Sequence, residues 1–486
     1  MSDRARRWSS YQPNVPGRGI LAGYTWRFWL LIVFLGVVTG LVASALMGIL
    51  RLTQRLAYGS HGRSFAADVL ATTGRHRFEI LLLAGLIVGI AAILFRLRPT
   101  TAATEVSEAL WLRRGRLALV PSLARGVLSV VTVGLGSSLG REAAPQLAGA
   151  SLASRLSDWA ELPVWQRRLL VASGAGAGLA AVYNVPLGGA LFALEVLLGT
   201  LALSLVLPAL AVSVIATAVA WIFLGTAHSY VTPAFRLQAS QMVWALVCGP
   251  LIGLAAVVWV RLIQRVNRLR PRGRGRLLVP LIVFGALGLL SIRYPELLGN
   301  GKGIVQASLF GQVSLGLFAV LLILKPLATA GCLGAGAPGG LFTPTLSIGV
   351  LLTGVLAGLW SHIWPHTVPA AYTLIGGAAF LAAAMQGPLS GVVLVLELTR
   401  HFDLIIGPAL LATVEATVIA RRFGAPTIYS ARLAPHGYAD EALGAAVIES
   451  LDATDESLPA DPETAAGHKK TPTPDGSEGP DPRPAL

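Results

Sequence analysis

From Pro326 to Leu396 the chain runs 71 residues without one Asp, Glu, Lys or Arg. A helix needs about 20 apolar residues to cross a bilayer, so this stretch must hold at least three membrane elements. Further uncharged runs are Phe28–Leu50, Ile80–Phe95, Leu169–Leu194, Val196–Phe235, Leu237–Val260, Leu277–Ile292 and Ile304–Leu324. Leu117–Leu139 is interrupted by Arg125 alone, and Leu404–Ala420 by Glu415 alone. Val196–Phe235 is long enough for two elements, with a division expected near Pro208. The length rule gives roughly ten to fourteen membrane elements in all. The chain therefore reads as an all-α polytopic membrane protein.

Composition agrees. Charged residues are 13% of the chain, where a soluble domain carries about 25%. A soluble enzyme, a secreted disulfide scaffold and a disordered regulator are excluded as readings of the whole. Cys248 and Cys332 both lie in apolar runs, which offers neither a disulfide framework nor a zinc cluster. No cofactor and no metal are expected. The formal charge of +14 is segregated: residues 440–486 hold 11 acidic and 3 basic residues, and residues 1–439 hold 13 acidic and 35 basic. Basic residues between spans follow the positive-inside rule and do not call for nucleic acid. Seven arginines between Arg261 and Arg276, with the basic N-terminus, place that loop and both termini in the cytoplasm of a multi-pass cell-membrane protein. Residues 1–23 read as a cytoplasmic segment and 24–433 as the membrane domain. Residues 434–486 read as an acidic, Pro-rich tail too poor in apolar residues to fold.

Glycine and proline break the apolar runs in an ordered way. Asn184-Val-Pro-Leu-Gly-Gly leads to Glu195, and Gln386-Gly-Pro-Leu-Ser-Gly leads to Glu397. Each is Pro-Leu-x-Gly with a Glu nine residues after the Pro. Upstream stand Gly140-Arg-Glu-Ala-Ala-Pro145 and Gly339-Gly-Leu-Phe-Thr-Pro344. The spacing predicts two repeats, roughly 24–225 and 237–433, with broken helices meeting at the midplane as in secondary transporters. Irregular backbone at membrane depth lines a cavity or is buried in protein, so the breaks mark a polar pathway.

A helix that starts inside the membrane presents unpaired N–H groups and a positive dipole end, which suits an anion. Partial charges hold an ion that must also leave. Glu142 sits at such a start. It is either a cap for its own helix, a partner for Arg141, or a functional carboxylate. In the last case it could take the place of the transported anion and be released by protonation.

These motifs, with Ile428-Tyr429-Ser430, resemble the chloride channel (CLC) family of anion channels and proton-coupled exchangers, over residues 28–433. The resemblance implies an inverted-repeat bundle of tilted and broken helices, a homodimer with one pore per subunit, and Glu142 as gate and proton carrier. It implies anion contacts at Leu341, Phe342 and Tyr429, and the flanking Arg141, Ala143 and Gly340 join the anion-binding candidates. Three departures stand out. The family's serine loop reads Pro99-Thr-Thr-Ala-Ala-Thr104, with Thr101 at the serine position. Ala143 replaces a glycine, and the following proline comes one residue late. Val196 stands where many exchangers carry a second, internal glutamate, while Glu195 beside it reads as structural. Only 57 residues follow Tyr429, too few for paired regulatory domains, so a prokaryotic inner membrane is expected. The resulting expectation is transport of chloride or a similar anion, coupled to protons, across a lipid bilayer. A passive chloride channel is the alternative. An intramembrane enzyme using His362 and His366 is a distant one, since Pro365 lies between them and no HExxH glutamate is present.

Overall fold

The computed structural model describes residues 24–60, 64–97, 103, 105–233, 237–271, 273, 275–365, 369–400 and 405–433. The expectations for residues 1–23, for the tail from 434, for Thr101 and for His366 fall outside them.

The elements of the first half are α1 (Trp26–Tyr58), α2 (Phe65–Ala71), α3 (Gly74–Leu97), α4 (Val106–Leu112), α5 (Leu119–Gly134), α6 (Ala143–Trp159), α7 (Val164–Tyr183), α8 (Pro186–Leu191), a π-helical turn (Phe192–Leu198) and α9 (Leu203–Leu224). The second half holds α10 (Ala239–Arg268), α11 (Gly275–Arg293), α12 (Lys302–Leu309), α13 (Leu315–Gly334), α14 (Phe342–Ile363), α15 (Pro369–Met385), α16 (Pro388–Thr399) and α17 (Ile406–Arg422). Helices α1, α3, α9, α10, α11, α13 and α14 are long and apolar enough to cross a membrane. The segments α5, Pro186–Leu198, α15 and α16 are shorter apolar helices. One sequence expectation fails. The break in Val196–Phe235 falls at Gly199–Ala202, and α9 runs straight through Pro208. Neighbouring helices can accommodate the bond that a proline removes inside a membrane bundle.

The two halves repeat element by element: α5 to α9 correspond in order to α13 to α17, with the π turn continuing α8. The backbone carries the same duplication. Left-handed residues occur in matched pairs, Gly136 with Gly336, Asn184 with Gln386, and Gly199 with Arg400. Pro145 and Pro344 are each the third residue of their helix, and Pro186 and Pro388 each the first. All four positions lie in a first turn, where a missing N–H is harmless.

Two nearly all-buried helices form the centre. In α7 the run Gly174-Ala-Gly-Ala-Gly-Leu-Ala-Ala, and in α15 the run Ile375-Gly-Gly-Ala-Ala-Phe-Leu-Ala, are hidden on every side. A helix apolar all round belongs in an interior, and small residues let neighbouring backbones approach. The glutamates after the Pro-Leu-x-Gly motifs then tie the halves together. Glu195 accepts hydrogen bonds from Leu389 N (3.2 Å), Ser390 N (2.6 Å) and Ser390 Oγ (2.6 Å) at the start of α16. Glu397, at the end of α16, accepts from Leu187 N (3.1 Å) and Gly188 N (2.6 Å) at the start of α8. Each half thus caps a broken helix of the other, and Glu195 has the structural role its position suggests.

Candidate functional site

The site is built where the two Gly-rich breaks meet. Gly136 turns the chain out of α5 with φ of 101°, and Gly336 does the same after α13 with φ of 93°. The chains that follow touch through one antiparallel pair: Gly140 N donates to Gly340 O, and Gly340 N to Gly140 O, both at 2.8 Å. Helices α6 and α14 start two or three residues beyond this pair, so their N-terminal ends face a common point.

Glu142 occupies that point. It is the residue before α6, but its side chain makes no cap to its own helix. The carboxylate crosses to the other half, where Phe342 N donates to Oε1 at 2.7 Å and Thr343 N at 3.4 Å. Three hydroxyl contacts complete the surroundings: Tyr183 Oη donates to Oε2 (3.1 Å), Thr343 Oγ1 to Oε2 (3.4 Å), and Tyr183 Oη and Thr343 Oγ1 are 2.6 Å apart. A Cβ on Gly140 or Gly340 would fall on the carboxylate, so both positions must be glycine for the acid to lie there. Glu142 is 1% exposed. Of the roles left open by the sequence, neither own-helix cap nor Arg141 partner describes it. It holds an anionic group on the N-terminus of α14, where orphan N–H groups and the helix dipole favour negative charge.

The other candidates gather around it. The Arg141 guanidinium lies 4.9 Å from the Tyr183 ring centre. Ala143, Gly340, Leu341 and Tyr429 line a cavity on one side of Glu142, together with Glu105, Arg125, Ser129, Gln146 and Arg432. Phe342 contributes its N–H to the carboxylate, and its ring packs 5.7 Å from Tyr183. Tyr429 packs edge-on against Phe192, at 5.3 Å between centres. Leu341 meets the cavity, and the carboxylate bonds fall on Phe342 and Thr343, one residue beyond the expected Leu341–Phe342 pair. Val196 is buried in the π turn, facing Gly387.

Support for the breaks comes from behind. Gly299 N donates to Gly136 O at 3.1 Å. The fully buried Lys325 of α13 donates to Leu297 O (3.0 Å) and Gly299 O (2.8 Å), which holds that supporting loop.

Tyr183, Thr343, Ser129 and Gln146 were not singled out from sequence. Tyr183 and Thr343 lie inside the motifs YNVPLGG and GGLFTP, and that adjacency is the only signal they carry. Ser129 and Gln146 are uncharged polar residues in apolar helices, which a hydropathy reading passes over.

A family model described as voltage gated chloride channel matches residues 80–421. The voltage-gated ClC-type chloride channel ClcB of Salmonella typhimurium is 31% identical over 349 residues, covering 69% of this chain and 81% of that one. The H(+)/Cl(-) exchange transporter ClcA of Cronobacter sakazakii is 30% identical over 315 residues, covering 62% of this chain and 67% of that one. The crystal structure of a slow cyanobacterial Cl-/H+ antiporter superposes with a TM-score of 0.73 at 22% identity, covering 84% of this chain and 97% of that one. At that identity it shows a shared fold.

Proposed function

This chain belongs to the voltage-gated chloride channel family, and from that premise we propose that it exchanges chloride or a similar small anion for protons across a membrane, with Glu142 as gate and proton carrier. The observation that carries the reading is the Glu142 carboxylate lying on Phe342 N and Thr343 N at the start of α14. Those donors would otherwise serve a permeant anion. The ionised carboxylate competes for them, because charge-assisted hydrogen bonds are about twice as strong as neutral ones. A proton on Glu142 removes the negative charge and weakens its claim. The acid then yields the donors to an incoming anion, and a departing anion leaves them free for the carboxylate once the proton is lost. One group thereby alternates between blocking the path and carrying a proton. Tyr183 and Thr343 steady the blocking position.

Sidedness follows from the arginines. The ends of α10 and α17 meet, with Arg261 Nη2 donating to Phe423 O at 2.9 Å. Arg265, Arg268, Arg421 and Arg422 stand in the last turns of the same two helices. The positive-inside rule makes this the cytoplasmic end. The homodimer belongs to the same proposal. Exposed apolar residues such as Ile222 of α9 and Val418 of α17 would face lipid or a second subunit.

Val196 supports a second reading, a passive anion channel. Its buried side chain offers no titratable group where many exchangers carry the internal glutamate. Reconstituted protein in liposomes separates the two. With a chloride gradient imposed, an exchanger drives protons uphill, and Glu142→Gln stops the proton movement while chloride still passes. Chloride release without proton movement in the wild type would select the channel.

A further inference from the structure

Beside Glu142, on the side of Arg432, lies a cavity of about 60 Å³. A water-sized species needs at least ~10–15 Å³ of such space, so there is room for an ion with part of its hydration. Besides Nε of Arg432, three of its lining side chains carry donors that no acceptor among the described residues takes. They are Gln146 Nε2 on α6, Ser129 Oγ on α5 and the Nη1 atom of Arg125, also on α5. Gln146 is 7% exposed and Ser129 2%. The Gln146 amide lies beside the Tyr429 hydroxyl. The two carboxylates on the wall are already engaged. Glu105 accepts from Arg432 Nη2 at 2.9 Å, and Glu142 is held by Phe342, Thr343 and Tyr183.

Leaving a donor unpaired in an interior is costly, and such groups are uncommon. Together they form a lining rich in donors and poor in free acceptors, with the Arg125 guanidinium beside the Arg432–Glu105 pair. That chemistry suits a small monovalent anion. We infer that Gln146 and Ser129, assisted by Arg125, are ligands of the transported anion at a position next to Glu142, and that they help set which anion is accepted. The inference rests on the proposed anion transport and deepens it. None of these three residues was among the anion-binding candidates from sequence. An ion seated there would be the one waiting to take the α14 donors when Glu142 gives them up. Neutral amide and hydroxyl donors would hold it without fixing it, as conduction requires.

The test uses full-length protein in detergent, titrated with sodium chloride in a calorimeter, with melting followed in chloride and in a chloride-free buffer. Gln146→Leu should weaken chloride binding roughly tenfold, the scale of a hydrogen bond to a charged group. Ser129→Ala should weaken it roughly threefold. Both should keep the chloride-free melting temperature of the wild type and lose part of the shift that chloride adds, because a ligand stabilises only the state that binds it. If Gln146→Leu does not fold, Ser129→Ala, which deletes one hydroxyl, decides. Wild-type affinity in both variants would overturn this inference and leave anion transport standing. A wild type that neither binds nor moves chloride, bromide or nitrate in liposomes would overturn the functional reading and this inference together.

Discussion

At the scale of single residues, the centre of the molecule is a carboxylate with four contacts from three other residues. Tyr183 is the most telling of these, since its hydroxyl reaches both Glu142 and Thr343. Phenylalanine in its place keeps the ring packing against Phe342 and removes only the oxygen. A hydrogen bond to a charged group contributes about 1.5–3 kcal/mol, so the blocking position should lose roughly tenfold in occupancy. Tyr183→Phe is therefore expected to speed initial chloride efflux from liposomes. Equal efflux from the two proteins would mean the hydroxyl does not hold the gate. This contact also shows where sequence reading stopped. Glu142 could be marked as unusual because a carboxylate in an apolar run is expensive. Its partners could not be marked, because they lie 41 to 201 positions away in sequence, and nothing local distinguishes crossing to α14 from capping α6.

At the scale of elements, broken helices were legible and their coupling was not. Gly and Pro placed the starts of α6, α8, α14 and α16 because those residues act through local backbone geometry. Pro208 misled for the same reason: a proline inside an apolar run reads as a boundary, yet packing carries α9 through it. The reciprocal caps by Glu195 and Glu397 depend on the fold bringing α8 and α16 together. They predict a stability effect distinct from any transport effect. Glu397→Ala leaves Leu187 N and Gly188 N without their acceptor, and should lower stability by about 2 kcal/mol. Thermal inactivation in detergent should accelerate accordingly, while Glu397→Gln, which keeps one acceptor oxygen, should recover part of the loss. Inactivation of Glu397→Ala at the wild-type rate would show that these caps do not hold the halves together.

At the scale of the whole molecule, duplication places like against like. Two helices aim their N-termini at one point, a glycine pair joins the breaks, and a single acid from one half sits on the donors of the other. The duplication and the all-helical class were legible because they repeat along the chain. The proposed pathway was legible only as a set of breaks, since the cavity beside Glu142 is walled by α5, α6, the start of α14 and the segment at Tyr429, each uninformative alone. The central claim is that Glu142 and the permeant anion compete for one set of donors. Competition couples anion binding to protonation, and binding strength measured against pH reads that coupling directly. In the wild type, chloride should bind more tightly as pH falls and Glu142 takes up its proton. In Glu142→Gln, which has no proton to gain, chloride affinity should be independent of pH. Wild-type affinity that does not change with pH, or a pH dependence that survives in Glu142→Gln, would contradict the account.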